Sequence, residues 1–153
     1  MSDEITVYKG SCYCGSVTVT VKGPPAASAY CHCFECRKWH SAPINAWSIW
    51  PRDSVTIDGP ITTSQISERS HRVSCEKCGG CVANIKPTVS MIVVYPMTLT
   101  GPGTAFKYKP AFHIFYQERV MDVSDGLPKF ADMPEKFGGS GKTIEEPATS
   151  GWH

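Results

Sequence analysis

Polar and apolar residues alternate with a period of two over residues 16–21 (SVTVTV), as in an extended strand with one buried face. Further short segments rich in Val, Thr, Ile and aromatic residues cover 44–49, 71–74, 89–95 and 112–116. Such side chains suit a pleated, half-buried surface. Breaks at Gly23-Pro24-Pro25, Asp58-Gly59-Pro60, Gly101-Pro102-Gly103 and Asp125-Gly126-Leu127-Pro128 separate them. No window of helical length sustains a 3.6-residue apolar repeat, and only residues 34–39 are expected to form a helical turn. The pattern predicts a mainly β protein.

Residues 1–137 are expected to form one domain, since a chain of this size buries a core by itself. The stretch 138–153 (GGSGKTIEEPATSGWH) is polar and broken by Gly and Pro, and reads as a loose tail. Its Gly141-Lys142-Thr143 imitates the end of a phosphate-binding loop, but the Gly required five positions earlier is Lys136.

Charge and hydropathy remove whole classes of function. The balance of 15 Lys and Arg against 14 Asp and Glu lacks the basic excess of nucleic-acid or membrane-surface binders. The longest apolar stretch, 91–95, stops at Pro96, far short of a membrane span. The start MSDEITVYKG shows no basic segment followed by an apolar one. A cytoplasmic protein is expected.

The chemistry lies in the cysteines, eight of them in three tight groups: Cys12-x-Cys14, Cys31-x-Cys33-x-x-Cys36 and Cys75-x-x-Cys78-x-x-Cys81. Residues i and i+2 of an extended chain point to one side, and a Cys-x-x-Cys turn also aims two sulfurs at one ion. Cysteines this close are poor partners for cross-linking distant segments, and nothing marks the chain as secreted. Soft thiolates at these spacings favour zinc or an iron–sulfur cluster over hard cations; the groups do not match ferredoxin spacings, so zinc leads. The number of thiols exceeds the needs of one tetrahedral ion, so two zinc ions per chain are expected. Spacing alone admits two divisions. Cys12, Cys14, Cys75 and Cys78 form a closed structural site while Cys31, Cys33 and Cys36 hold a zinc with an open fourth position, or Cys81 closes the second site as well.

The order Gly10-Ser11-Cys12-Tyr13-Cys14-Gly15, then Cys31-His32-Cys33-Phe34-Glu35-Cys36-Arg37-Lys38, then Cys75-Glu76-Lys77-Cys78-Gly79 resembles the glutathione-dependent formaldehyde-activating enzyme family, which includes centromere protein V. Pro110-Ala111-Phe112-His113-Ile114 and Asp125-Gly126-Leu127-Pro128-Lys129-Phe130 resemble the family's later segments, so the likeness runs from about residue 8 to 132. It implies a β-tent fold of short antiparallel sheets organised by two zinc sites. It further implies a structural zinc on Cys12, Cys14, Cys75 and Cys78 and a catalytic zinc on Cys31, Cys33 and Cys36. The implied activity is a zinc-dependent carbon–sulfur lyase, adding glutathione or a similar small thiol to formaldehyde or a related electrophile. Zinc has no redox chemistry of its own, and a coordinated thiol loses its proton, which agrees with such a reaction. Two departures stand out: Met121 falls where many members have Trp, and Cys81 is extra to the seven-cysteine pattern.

The remaining polar residues have plainer expectations. His32, between two ligands, should point away from them into a surface or packing role, and His113 is expected as a core histidine. Glu35, Arg37, Lys38, Arg69 and Arg72 read as surface charges, Trp39, Trp47 and Trp50 as packing, and Cys81 as a buried small residue. Two other functions compete with the lyase: a non-catalytic zinc-stabilised binding module, and a thiol redox enzyme using Cys81.

Overall fold

The computed structural model describes residues 4–153; the first three positions of the expected domain lie outside them. In chain order the elements are β1 (Val7–Ser11), β2 (Thr18–Lys22), β3 (Ala27–Cys31), α1 (Phe34–His40), β4 (Asn45–Pro51), β5 (Val55–Asp58), β6 (Ile61–Ser67), β7 (Ser70–Cys75), β8 (Cys81–Lys86), β9 (Met91–Val94), β10 (His113–Ile114), β11 (Met121–Asp122) and β12 (Gly151–Trp152). The described residues are mainly β with one α-helix, in keeping with the mainly β pattern that the alternation predicts. The chain forms two compact units, one of residues up to Ala27 with Ser48–Tyr108, the other of Ser28–Trp47 with Lys109–His153.

The first unit holds two antiparallel arrangements. β1, β2 and β5 form a three-stranded sheet, with Val7 opposite Lys22 and Val21 opposite Val55. In β2 the alternation puts Val19 and Val21 fully inside while Thr18 and Lys22 face out. Burying a valine in this way stabilises by about 1.5 kcal/mol. The end of β4 pairs with β9, and β9, β8, β7 and β6 follow in antiparallel order. Val73, Val82, Ile92, Val94 and Leu99 join Val17, Val19 and Val21 around Trp50 in one core. Trp50 is fully buried, and its indole N–H donates to the Gly23 carbonyl at 3.0 Å, which satisfies the one polar atom such a side chain brings inside. β6 closes this run at an edge, almost wholly exposed, with a register shift between Gln65 and Ser67.

In the second unit β3 lies parallel to β10, Tyr30 opposite His113 and Cys31 opposite Ile114, and His113 also bridges to Lys129 in parallel. Phe112 packs edge-on against Trp47 and Phe130. β11 pairs with β12, Thr143 bridges to Phe130, and the Ile144 N–H donates to the Lys129 carbonyl at 2.7 Å. No helix among the described residues is long and apolar enough to cross a membrane.

Candidate metal centres

Two hairpin loops of the first unit bring four sulfurs together. The loop between β1 and β2 closes with the Cys12 N–H on the Val17 carbonyl at 3.0 Å, and the Gly15 N–H returns to the Cys12 carbonyl at 3.2 Å. The loop between β7 and β8 closes with the Cys75 N–H on Gly80 at 2.9 Å and the Gly79 N–H on Cys75 at 2.8 Å. Gly79 has φ +74°, a left-handed conformation that side chains disfavour, so the Cys75–Cys78 knuckle ends in the residue its turn requires. The ligand atoms of Cys12, Cys14, Cys75 and Cys78 all lie within 4.8 Å of one another. Sγ of Cys14 is 3.7 Å from that of Cys12 and 3.8 Å from that of Cys75. Four thiolates about 2.3 Å from a tetrahedral zinc stand about 3.8 Å apart. The four sulfurs therefore fit a tetrahedral metal.

Backbone amides point at these sulfurs: Val17 N–H at Cys12 (3.4 Å), Cys78 N–H at Cys75 (3.5 Å) and Gly80 N–H at Cys78 (3.4 Å). Such donors favour the thiolate over the thiol. At Cys14, hydrogen bonds from the side chain and backbone of Ser16 hold the thiol down to about 6.

The second cluster lies at the junction of β3 and α1 in the second unit. Cys31 ends the strand and is buried; Cys33 caps the helix with φ −66° and ψ 149°, its sulfur accepting the Cys36 N–H at 3.3 Å. The Cys33 N–H in turn points at the Cys31 sulfur, 3.4 Å away. A helix start with unsatisfied N–H groups thus turns toward three sulfurs, whose ligand atoms also lie within 4.8 Å of one another. Hydrogen bonds involving Cys33 and then Cys36, followed by burial, push the Cys31 thiol well above its ordinary range. Three sulfurs this close cannot all ionise without a countercharge, which a cation held among them would provide. Both clusters are able to hold a metal ion, and Cys81, half-buried at the start of β8, belongs to neither.

Around this cluster several expectations are refined. Glu35 and Lys38 are exposed, but Arg37 donates through Nε to the His32 carbonyl (3.2 Å) and through Nη2 to the Glu118 carbonyl (3.1 Å). Glu118 also accepts the Phe34 N–H at the start of α1 (3.2 Å). In the first unit Arg69 is exposed, whereas Arg72 is buried in β7 with Nη1 3.1 Å from the Tyr95 hydroxyl. His32 and His113 are both fully buried, with His32 Nε2 2.8 Å from His113 Nδ1. His113 Nε2 reaches Asp125 Oδ2 at 2.8 Å. Asp125 Oδ1 meets Lys129 Nζ at 3.0 Å, and Lys129, itself buried, meets Glu146. The sequence marks the segments of His113 and Asp125 but not their contact.

A mainly β chain with one four-cysteine and one three-cysteine cluster, each able to hold a metal ion, defines a small cysteine-cluster protein. The chain belongs to the glutathione-dependent formaldehyde-activating enzyme family, whose profile matches residues 7–118 and so covers all eight cysteines. An uncharacterized lyase of Schizosaccharomyces pombe is 29% identical over 72 residues, which are 47% of this chain and 53% of that protein. The chain thus spans about half the length of this curated relative. The crystal structure of a Rhodobacter sphaeroides protein shares the fold with a TM-score of 0.50 and 19% identity, covering 61% of this chain and 91% of that one.

Proposed function

We propose that this protein is a zinc-dependent carbon–sulfur lyase that joins a small thiol of the glutathione type to formaldehyde or a related aldehyde, and runs the reverse cleavage. The observation that carries the reading is the division of seven cysteines into a group of four and a group of three, with Cys81 in neither. Cys12, Cys14, Cys75 and Cys78 complete a tetrahedral set, which suits a structural zinc. Cys31, Cys33 and Cys36 supply three ligands and leave a fourth place for substrate, which suits a catalytic one. Family membership and the lyase name of the yeast relative support the reaction class.

A zinc ion held by Cys31, Cys33 and Cys36 would supply Lewis-acid chemistry that eases deprotonation of a substrate thiol. The chain's own part is to fix three sulfurs in one geometry: Cys31 by its place at the end of β3, Cys33 by capping α1, and Cys36 by the first turn of that helix. In the addition the thiol sulfur bonds to the carbonyl carbon and the carbonyl π pair moves to oxygen. The proton lost from sulfur ends on that oxygen, so nothing is oxidised or reduced. The cysteines remain ligands throughout.

Exchange NMR of glutathione and formaldehyde tests the proposal directly. Wild-type protein accelerates adduct exchange over the spontaneous rate, Cys33→Ser does not, and Cys81→Ala retains both zinc ions and full activity. Other thiols and larger aldehydes run in parallel identify the substrate pair. No acceleration with any pair, from protein shown by elemental analysis to hold two zinc ions, would overturn the enzyme reading in favour of a zinc-built binding module.

A further inference from the structure

The hydrogen-bond roles along Asp125, His113 and His32 follow from one fixed end. Burial opposes ionisation of Asp125, but bonds from His113, the Leu127 N–H and Lys129 outweigh it and hold the carboxyl below its ordinary range. A carboxylate only accepts. His113 Nε2 therefore carries the proton it shares with Asp125. Burial keeps the His113 ring neutral, so its Nδ1 is a lone pair, and His32 Nε2 must be the donor across the 2.8 Å between them. His32 Nδ1, at the other end of the ring, is buried with no hydrogen-bond partner among the described residues. One carboxylate thereby dictates the tautomer of two successive rings.

His32 is the peptide that joins Cys31 to Cys33. Its N–H donates to the Ile114 carbonyl at 3.1 Å, its carbonyl accepts from Arg37 at 3.2 Å, and its ring ends on His113. The far end is pinned as well, because Lys129 bridges Asp125 to Glu146. We infer that Asp125 and His113 are positioning residues for the central thiolate loop, setting the placement of Cys31 and Cys33 through the ring of His32. The inference rests on the reading of Cys31, Cys33 and Cys36 as metal ligands. A ligand set is only as precise as the shell that supports it, and losing an outer partner of a metal site costs about 10- to 100-fold in affinity.

Long-range proton–nitrogen NMR of the zinc-loaded protein reads the tautomers. Wild type shows both His32 and His113 as Nε2–H rings. In Asp125→Asn the side-chain oxygen keeps Lys129 and the Leu127 N–H, so the amide nitrogen faces His113 Nε2 as a donor. His113 then becomes an Nδ1–H ring, and so does His32 behind it. Cobalt(II) titration of the same proteins, followed by thiolate absorption, reads the metal sites separately. Asp125→Asn weakens the central cluster at least tenfold and leaves the four-cysteine cluster unchanged. A second pair does not depend on that variant folding: His113→Asn, whose oxygen stands where Nδ1 was, retains central cobalt affinity better than His113→Leu. Nδ1–H rings in wild type, flipped rings with unchanged cobalt affinity, or equal affinity in the two His113 variants would each overturn the inference. A wild-type protein whose central cysteines take no cobalt would instead overturn the proposed function.

Discussion

At Gly10 a missing methyl group decides how closely β1 approaches the turn Pro96–Leu99. A Cβ there would stand 1.9 Å from the Thr98 carbonyl oxygen and 2.9 Å from the Leu99 Cα. Both are backbone atoms, which cannot swing aside. Gly10→Ala should destabilise the metal-loaded protein by about 2 kcal/mol, seen as a lower midpoint in thermal denaturation; an unchanged midpoint would mean that the turn yields freely. The sequence shows Gly10 as part of the Gly10-Ser11-Cys12 motif but not the contact, whose partner is far along the chain. The grouping of the cysteines was more legible, because ligand spacing is a local property, although spacing alone left open whether Cys81 closes the second site. Arg72 was not. As one residue of β7, its inward position depends on strands packed to either side, and a charge in an unplaced strand reads as surface.

Among elements, the segment around Asp125 and the segment around Glu146 are joined by one buried lysine. The carboxyls of Asp125 and Glu146 both sit below their ordinary range, Asp125 because bonds from His113, Leu127 and Lys129 outweigh its burial, Glu146 chiefly through Lys129. Near pH 4 the unfolded chain takes up protons at these carboxyls while the folded protein does not, so this contribution to stability rises with pH. It is present above about pH 4 and lost as pH falls through the folded-state values. Lys129→Met removes the buried cation and leaves two partly exposed carboxylates without it, which should lower stability at neutral pH. The cost should shrink as pH falls through the lowered folded-state values and the carboxyls become protonated. Urea denaturation of both proteins across this range checks it, since acid loss of metal affects wild type and variant alike. A cost that does not change with pH would sink the electrostatic account.

The elements themselves were legible to differing degrees. β2 announces itself by strict alternation, β4, β7 and β9 by β-branched and aromatic content, and α1 matches the expected turn at 34–39 with one residue added. The parallel partnership of β3 with β10 left no trace, because β10 has two residues and its pairing joins positions about eighty residues apart. Nor did the polar composition of 138–153 signal that Glu146 meets Lys129.

At the scale of the whole molecule, each compact unit contains one thiolate cluster. A closed metal site contributes folding free energy outright. Cys78→Ser should therefore raise amide hydrogen exchange through β1, β2, β7 and β8, and destabilise the first unit severely. Cys33→Ser should confine faster exchange to β3, α1 and β10 while the first unit stays protected. Exchange mass spectrometry with elemental analysis distinguishes these patterns. Equal deprotection in both units from either substitution would contradict the assignment of one cluster as structural and the other as catalytic.

The outermost strand of the first unit has a consequence for handling the protein without metal. β6 reads ITTSQIS, with no charge and no proline, and a bare strand edge of this kind is a template for another chain. Only the irregularity at Gln65 and Ser67 interrupts it. Stripping metal from the loop after β7 loosens the hairpin on which β6 is laid, and the freed segment has the composition of a cross-β seed. Chelated protein should accordingly aggregate from this edge. Thr63→Lys, an exposed substitution that places a gatekeeper charge in mid-strand, should suppress light scattering after chelation while leaving the metal-loaded fold as it is.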